Sequence, residues 1–170
     1  LIIDPVEKTA DTTTITGLSG ESKWHGGVLG PDGLIYGIPV MSESVLIIDP
    51  VAKTADTTTI TGLSGEGKWA GGVLGPDGLI YGIPAMSESV LIIDPVEKTA
   101  DTTTITGLIG SYKWAGGVLG PDGKIYGIPD RSTSVLIIDP VAKTADTTTI
   151  TGLAEYVYGA WFGGVLGPDG

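Results

Sequence analysis

The 170 residues include 28 Gly, 11 Pro, no Cys and one His, with 9 basic and 20 acidic side chains for a net charge of −11. One domain's core fits this length. The missing Cys excludes disulfides, thiol catalysis and Cys-ligated zinc, and the acidity argues against nucleic acid or an anionic membrane as partner.

No apolar run reaches the ~18 residues of a membrane-spanning helix. Neither Asn nor Gln occurs, which suits heat tolerance.

The chain repeats itself. Leu-Ile-Ile-Asp-Pro begins at Leu1, Leu46, Leu91 and Leu136, a period of 45. Residues 1–45 match residues 46–90 at 41 of 45 positions, the differences being Glu7/Ala52, Ser22/Gly67, His25/Ala70 and Val40/Ala85. The third copy differs from the second at eight positions, and the fourth carries a two-residue insertion before Trp161.

Taken in chain order, residues 1–18 supply an apolar strand and a Thr-rich one. A short strand is then expected over Trp24–Gly30, followed by a Pro31-Asp-Gly33 turn in which Pro sets φ and Gly takes φ > 0. Leu34–Ile38 is the next strand, Pro39 to Ser44 a polar hairpin, and Val45–Ile48 the third strand. Asp49-Pro50 breaks it. Lys53–Asp56 reads as a turn and Thr57–Leu63, rich in β-favouring Thr, as the fourth strand. No window has the i, i+3, i+4 spacing of an amphipathic helix.

The second and third strands are apolar on both faces: Ile35, Tyr36 and Ile38, then Val45 to Ile48. A half-exposed sheet would alternate, so these strands need cover on both sides. Face-to-face stacking of four-stranded sheets supplies it, which makes the expected fold all-β, a β-propeller of 45-residue blades. A β-solenoid is the alternative, though its rungs are usually shorter. Blades are expected over 24–63, 69–108 and 114–153, with blade fragments at 1–18 and 161–170. The chain is twelve residues short of four full periods, the missing stretch corresponding to Leu34–Val45. The expectation is therefore a ring completed by other chains or by flanking sequence.

Gly-Pro-Asp-Gly-Leu-Ile-Tyr at 30–36 and 75–81, its Lys124 variant at 120–126, and Ser-Val-Leu-Ile-Ile-Asp-Pro at 44–50, 89–95 and 134–140 resemble kelch-like and NHL-like propeller repeats. The resemblance implies a scaffold rather than a particular reaction.

Differences among copies fall mostly at one end of the strands, in the loops joining strand two to three and strand four to the next blade. The exception is the Glu7/Ala52/Glu97/Ala142 series. Tyr112, Asp130 and Arg131 in the third copy, and Tyr156, Tyr158, Trp161 and Phe162 around the insertion, are candidate binding residues. Tyr, Trp and Arg dominate interaction hot spots, and loops on a rigid frame carry recognition. Drift in tolerant loops is the competing reading.

His25 stands where the other copies have Ala70, Ala115 and Phe162. It is kept as a candidate, although a lone substitution explains it as well, and a triad needs a nucleophile and an acid within reach. The repeated Trp24, Trp69, Trp114 and Trp161 read first as plugs between blades, and the Gly-Gly that follows each as a close approach of backbones near the axis. The recurrent Asp residues sit in turns, where Asp bonds its own backbone, and none matches an EF-hand spacing. No metal, cofactor or catalytic constellation is expected. A non-enzymatic scaffold that binds another protein or itself is the first reading. A lectin-like propeller offering Trp and Tyr to a glycan is the second, and a metal-using enzyme the third.

Overall fold

A computed structural model describes residues 1–154 and 159–168. Within them lie fourteen strands and no helix. A two-stranded hairpin, β1 (Ile2–Asp4) and β2 (Thr9–Asp11), comes first. Three four-stranded antiparallel sheets follow: β3 (Trp24–Leu29) to β6 (Thr54–Asp56), β7 (Trp69–Leu74) to β10 (Thr99–Asp101), and β11 (Trp114–Leu119) to β14 (Thr144–Asp146). Within each sheet the strands neighbour one another in sequence order, as in a propeller blade.

The second strands are β4 (Ile35–Pro39), β8 (Ile80–Pro84) and β12 (Ile125–Pro129); the third are β5 (Leu46–Asp49), β9 (Leu91–Asp94) and β13 (Leu136–Asp139). Their side chains alternate between two neighbours, not between core and water. Tyr36, Ile38, Val45 and Ile47 of the first blade pack with Trp69, Ile80, Leu91 and Ile93 of the second. Tyr81, Ile83, Val90 and Ile92 point the other way, to meet Trp114, Ile125, Leu136 and Ile138 of the third. The core is thus a set of layers between blades, and each buried aliphatic side chain contributes about 1.5–3 kcal/mol of transfer free energy. The repeated Trp is the plug expected: Trp69 and Trp114 are buried, and their indole N–H groups donate to the carbonyls of Ser89 and Ser134, each at 2.8 Å.

The inner strands meet at the Gly-Gly pairs. A Cβ on Gly71 would lie 3.1 Å from the Cα of Gly116, and one on Gly116 3.0 Å from the Cα of Gly163. Both glycines also hold positive φ, +78° and +74°, so only glycine fits there on two counts.

The fourth strand is not where the Thr run placed it. It is the three residues Thr54–Asp56, Thr99–Asp101 and Thr144–Asp146, and the Thr-rich segment after it leaves the sheet. The cause is local. Asp56 Oδ1 accepts from the Thr58 N–H at 2.6 Å and its hydroxyl at 2.8 Å, and Thr59 bonds the other oxygen. Those bonds compete with the ladder and win. The segment is still anchored: Ile60 and Leu63 are buried, Ile60 accepts from Val45 N–H at 3.0 Å, and Leu63 N–H donates to Glu43 at 2.9 Å.

Faces that a neighbouring blade covers in the middle of the array are bare at its two ends. Leu1 is 79% exposed where its equivalent Leu91 is fully buried, and Val165 is 91% exposed where Val73 is 8%.

Candidate functional site

Three backbone devices converge at one end of the inner strands. The first is a bulge in β3, β7 and β11. Trp24 pairs with Pro39 and Gly27 with Gly37, so His25 and Gly26 face the single residue Ile38. Bulges re-aim side chains, and this one turns position 25, with its equivalents 70 and 115, away from the blade layers. The second is a left-handed residue just before the strand, at Ser22 (φ +48°), Gly67 (+59°) and Tyr112 (+53°). Glycine takes this conformation freely, whereas for a residue as bulky as Tyr it is an outlier. The third is the residue after Pro39, Pro84 and Pro129, namely Val40, Ala85 and Asp130.

These positions line one cavity of about 410 Å³, bounded by Ser22, Trp24, His25, Val40, Gly67, Ala70, Ala85, Tyr112, Ala115, Asp130 and Phe162. Its wall is pinned from blade to blade. Lys68 Nζ donates to the carbonyl of Val40 at 2.9 Å and of Gly65 at 2.7 Å. Lys113 Nζ donates to Ala85, Ser87 and Gly110 at 3.0, 3.0 and 2.9 Å. Burial pushes the Lys113 ammonium down to about 8, against the pull of the Glu88 carboxylate, and lowers Lys68 in the same way. Neither lysine side chain lines the cavity.

The candidates read from the sequence divide as follows. His25, Tyr112, Asp130 and Phe162 come together on the cavity. Arg131 lies outside it, in a neighbouring groove with Ser111 and Trp114, its guanidinium 4.3 Å from the Tyr112 ring centroid. Trp161, 42% exposed, is not among the lining residues. Tyr156 and Tyr158 lie outside the described residues. The sequence reasoning missed Ser22, Val40 and the alanines that line the same space. The signal was there: three of the four positions separating the first two copies, 22/67, 25/70 and 40/85, lie on this cavity.

At the opposite end of the strands the invariant residues form latches. Lys98 and Lys143 of one blade reach Asp32 with Tyr36, and Asp77 with Tyr81, of the blade before. Among the described residues no group of three or more His, Asp or Glu side chains is placed to hold a metal ion.

A family model described as a repeat of unknown function (DUF6923) matches residues 8–167. The chain belongs to this family. The DUF6923 chain is also similar in fold to virginiamycin B lyase from Staphylococcus aureus (TM-score 0.61, 16% identity, 75% of this chain and 41% of that one). Hydrazine synthase from Kuenenia stuttgartiensis is similar as well (0.57, 20% identity, 81% and 39%). So is an auxiliary nutrient binding protein from Bacteroides ovatus (0.55, 11%, 72% and 30%). At such identities the likeness is one of fold, repeated β-blades, and the DUF6923 chain spans less than half the length of each. No curated protein matches it in sequence.

Proposed function

We propose that this DUF6923 chain is a non-enzymatic propeller scaffold that binds a partner in the cavity at the variable end of its blades. One observation carries the reading: three of the four positions that separate the first two copies, 22/67, 25/70 and 40/85, surround this space. Copies under a purely structural constraint would differ wherever side chains are exposed. In the turn after the third strand, exposed Val51 and Val96 carry the same residue in all four copies, and the neighbouring Glu7/Ala52/Glu97/Ala142 position is the exception.

His25 lines the cavity, and the equivalent positions of the other copies carry Ala70, Ala115 and Phe162. The kelch-like and NHL-like resemblance enters only as a blade geometry that presents loops for recognition. The bare faces at Leu1 and Val165 are suited to another blade, from a second copy or from other chain, and self-association belongs to the proposal for that reason. A glycan is the second reading; the Phe162 ring, 73% exposed at the cavity rim, offers the flat apolar face that stacks on a sugar.

The test is a thermal-shift panel of peptides and glycans, run on the wild type and on His25→Trp. A Trp at this exposed position fills the cavity mouth. Ligands that raise the melting temperature of the wild type and not of the variant support the reading; ligands that stabilise both equally contradict it. For self-association, sedimentation should find masses above the 17.3 kDa of one chain; a monomer at every concentration removes that part.

A further inference from the structure

Asp130 stands where the first two copies carry Val40 and Ala85. The substitution puts a carboxylate into an apolar wall. Asp130 is 9% exposed, and its Oδ1, packed against Gly159, is a buried side-chain oxygen that no hydrogen bond satisfies. None of the ion pairs among the described residues involves it. A buried polar atom left unpaired is rare in a native fold and calls for a partner, and an uncompensated buried carboxylate is costly.

The surroundings fit one kind of partner. Tyr112, Trp24 and Phe162 line the same cavity; Lys23 Nζ stands 5.3 Å from the Trp24 centroid and the Arg131 guanidinium 4.3 Å from that of Tyr112, but neither side chain lines the cavity itself. The Tyr112 backbone is held in the left-handed region, φ +53°, at a position where Gly67 would serve without strain. Ser22 holds the same conformation in the first copy, φ +48°, so the loop of the repeat sets the direction from which the Tyr112 side chain leaves. Aromatic rings around a carboxylate form a cation site, since ring faces and a negative charge both attract a positive one. Net charge −11 adds a long-range field of the same sign.

We infer that the cavity binds a small organic ammonium ion, with Asp130 as its counter-charge and the rings of Tyr112, Trp24 and Phe162 around its alkyl groups. This deepens the binding reading above and rests on it.

The probe is choline, compared with its uncharged carbon analogue 3,3-dimethylbutan-1-ol. Binding is followed by NMR on the methyl signals of Ala70, Ala85 and Ala115. Choline is expected to shift them saturably and to bind at least tenfold more tightly than the analogue. Asp130→Asn keeps the shape and the backbone bonds to Lys113 and Ala160, and should lose that tenfold. A choline affinity unchanged in Asp130→Asn, or equal affinity for the analogue, overturns the inference. His25→Trp separates the two levels. If both probes bind equally and both are lost in this variant, the cavity stands as a binding site and the cation preference falls. If choline still binds the variant as it binds the wild type, both fall. No saturable shift with choline also overturns the inference.

Discussion

Lys143 Nζ lies 2.7 Å from Asp77 Oδ2, a contact spanning 66 residues, from the outer turn of one blade to the first turn of the blade before. The Tyr81 hydroxyl donates to the same oxygen at 2.7 Å, and the ammonium sits 5.1 Å from the Tyr81 ring centroid. Burial pushes the Asp77 carboxyl up, and the bonds from Lys143 and Tyr81 outweigh it, so its pKa stays below the usual range. Lys98 repeats the arrangement on Asp32 and Tyr36. Each latch closes one blade interface at the end opposite the cavity.

Lys143→Met should lower stability by about 1–2 kcal/mol, more than an open surface pair, because the acceptor is half-buried and shared with a Tyr hydroxyl. For a chain of this size that is a drop of roughly 2–8 °C in melting temperature. Lys124→Leu is the control. Lys124 Nζ is 3.9 Å from Asp139 and its side chain is 44% exposed, and its removal should change stability by less than about 0.5 kcal/mol. Denaturant unfolding of the two variants measures the contrast.

Two glycines with the same backbone sign should respond very differently to alanine. Gly62 has φ +83° and open space around it; Gly62→Ala should cost only the conformational strain, about 1 kcal/mol. Gly71 has φ +78° and backbone atoms of Gly116 at 3.1 and 3.4 Å from the new Cβ. Backbone cannot swing aside, so Gly71→Ala should cost at least about 3 kcal/mol and loosen the blade interface. Melting curves of both variants check the difference.

Ile83 is fully buried in the layer between the second and third blades. Ile83→Ala should cost about 2–5 kcal/mol through lost transfer energy and a residual cavity. Val165, equally apolar but at a bare end, should tolerate alanine within about 0.5 kcal/mol. Equal losses at the two sites would mean that the end face is covered in solution.

The Asp–Thr turns set the acid limit. Thr149 and Thr148 hydroxyls, with the Thr148 N–H, hold the Asp146 carboxyl down to about 2 from an ordinary 3.8. Asp56 and Asp101 are lowered by the same set of bonds. In the unfolded chain these groups bind protons first. The stability they add is complete above about pH 4 and is lost as pH falls through about 2. Urea midpoints should be level from pH 7 to 5 and fall below 4, and Asp146→Asn should flatten part of the fall. A decline that begins near neutrality would point to other groups.

Much of the architecture is legible in the residues themselves. Ile80, Tyr81 and Ile83 beside Val90 to Ile93 are apolar on both faces, and only blades on both sides can shelter them. The Gly-Gly pairs announce the close approach of inner strands. The outer strand was hidden because Thr propensity is weak beside a carboxylate that offers three or four local bonds, and Asp56 takes the Thr run out of the ladder. The cavity was half legible. Comparison of the first two copies singles out 7, 22, 25 and 40, the last three of them on the cavity, but a period-two reading contains no bulge. The bulge at His25-Gly26 is what swings that side chain toward Tyr112 and Asp130 of a blade two repeats away.

The central claim is that the blades stand around an axis, with positions 22, 25 and 40 of the first blade and their equivalents in the others gathered at one cavity. The native chain has no Cys, so spin labels on His25→Cys and Phe162→Cys report a single distance. Both positions border the cavity, and the account predicts a separation of little more than its width plus the label arms. Blades stacked in a row would set the two labels three sheet spacings apart, about 30 Å at ~10 Å per sheet, and a distribution centred there would contradict it.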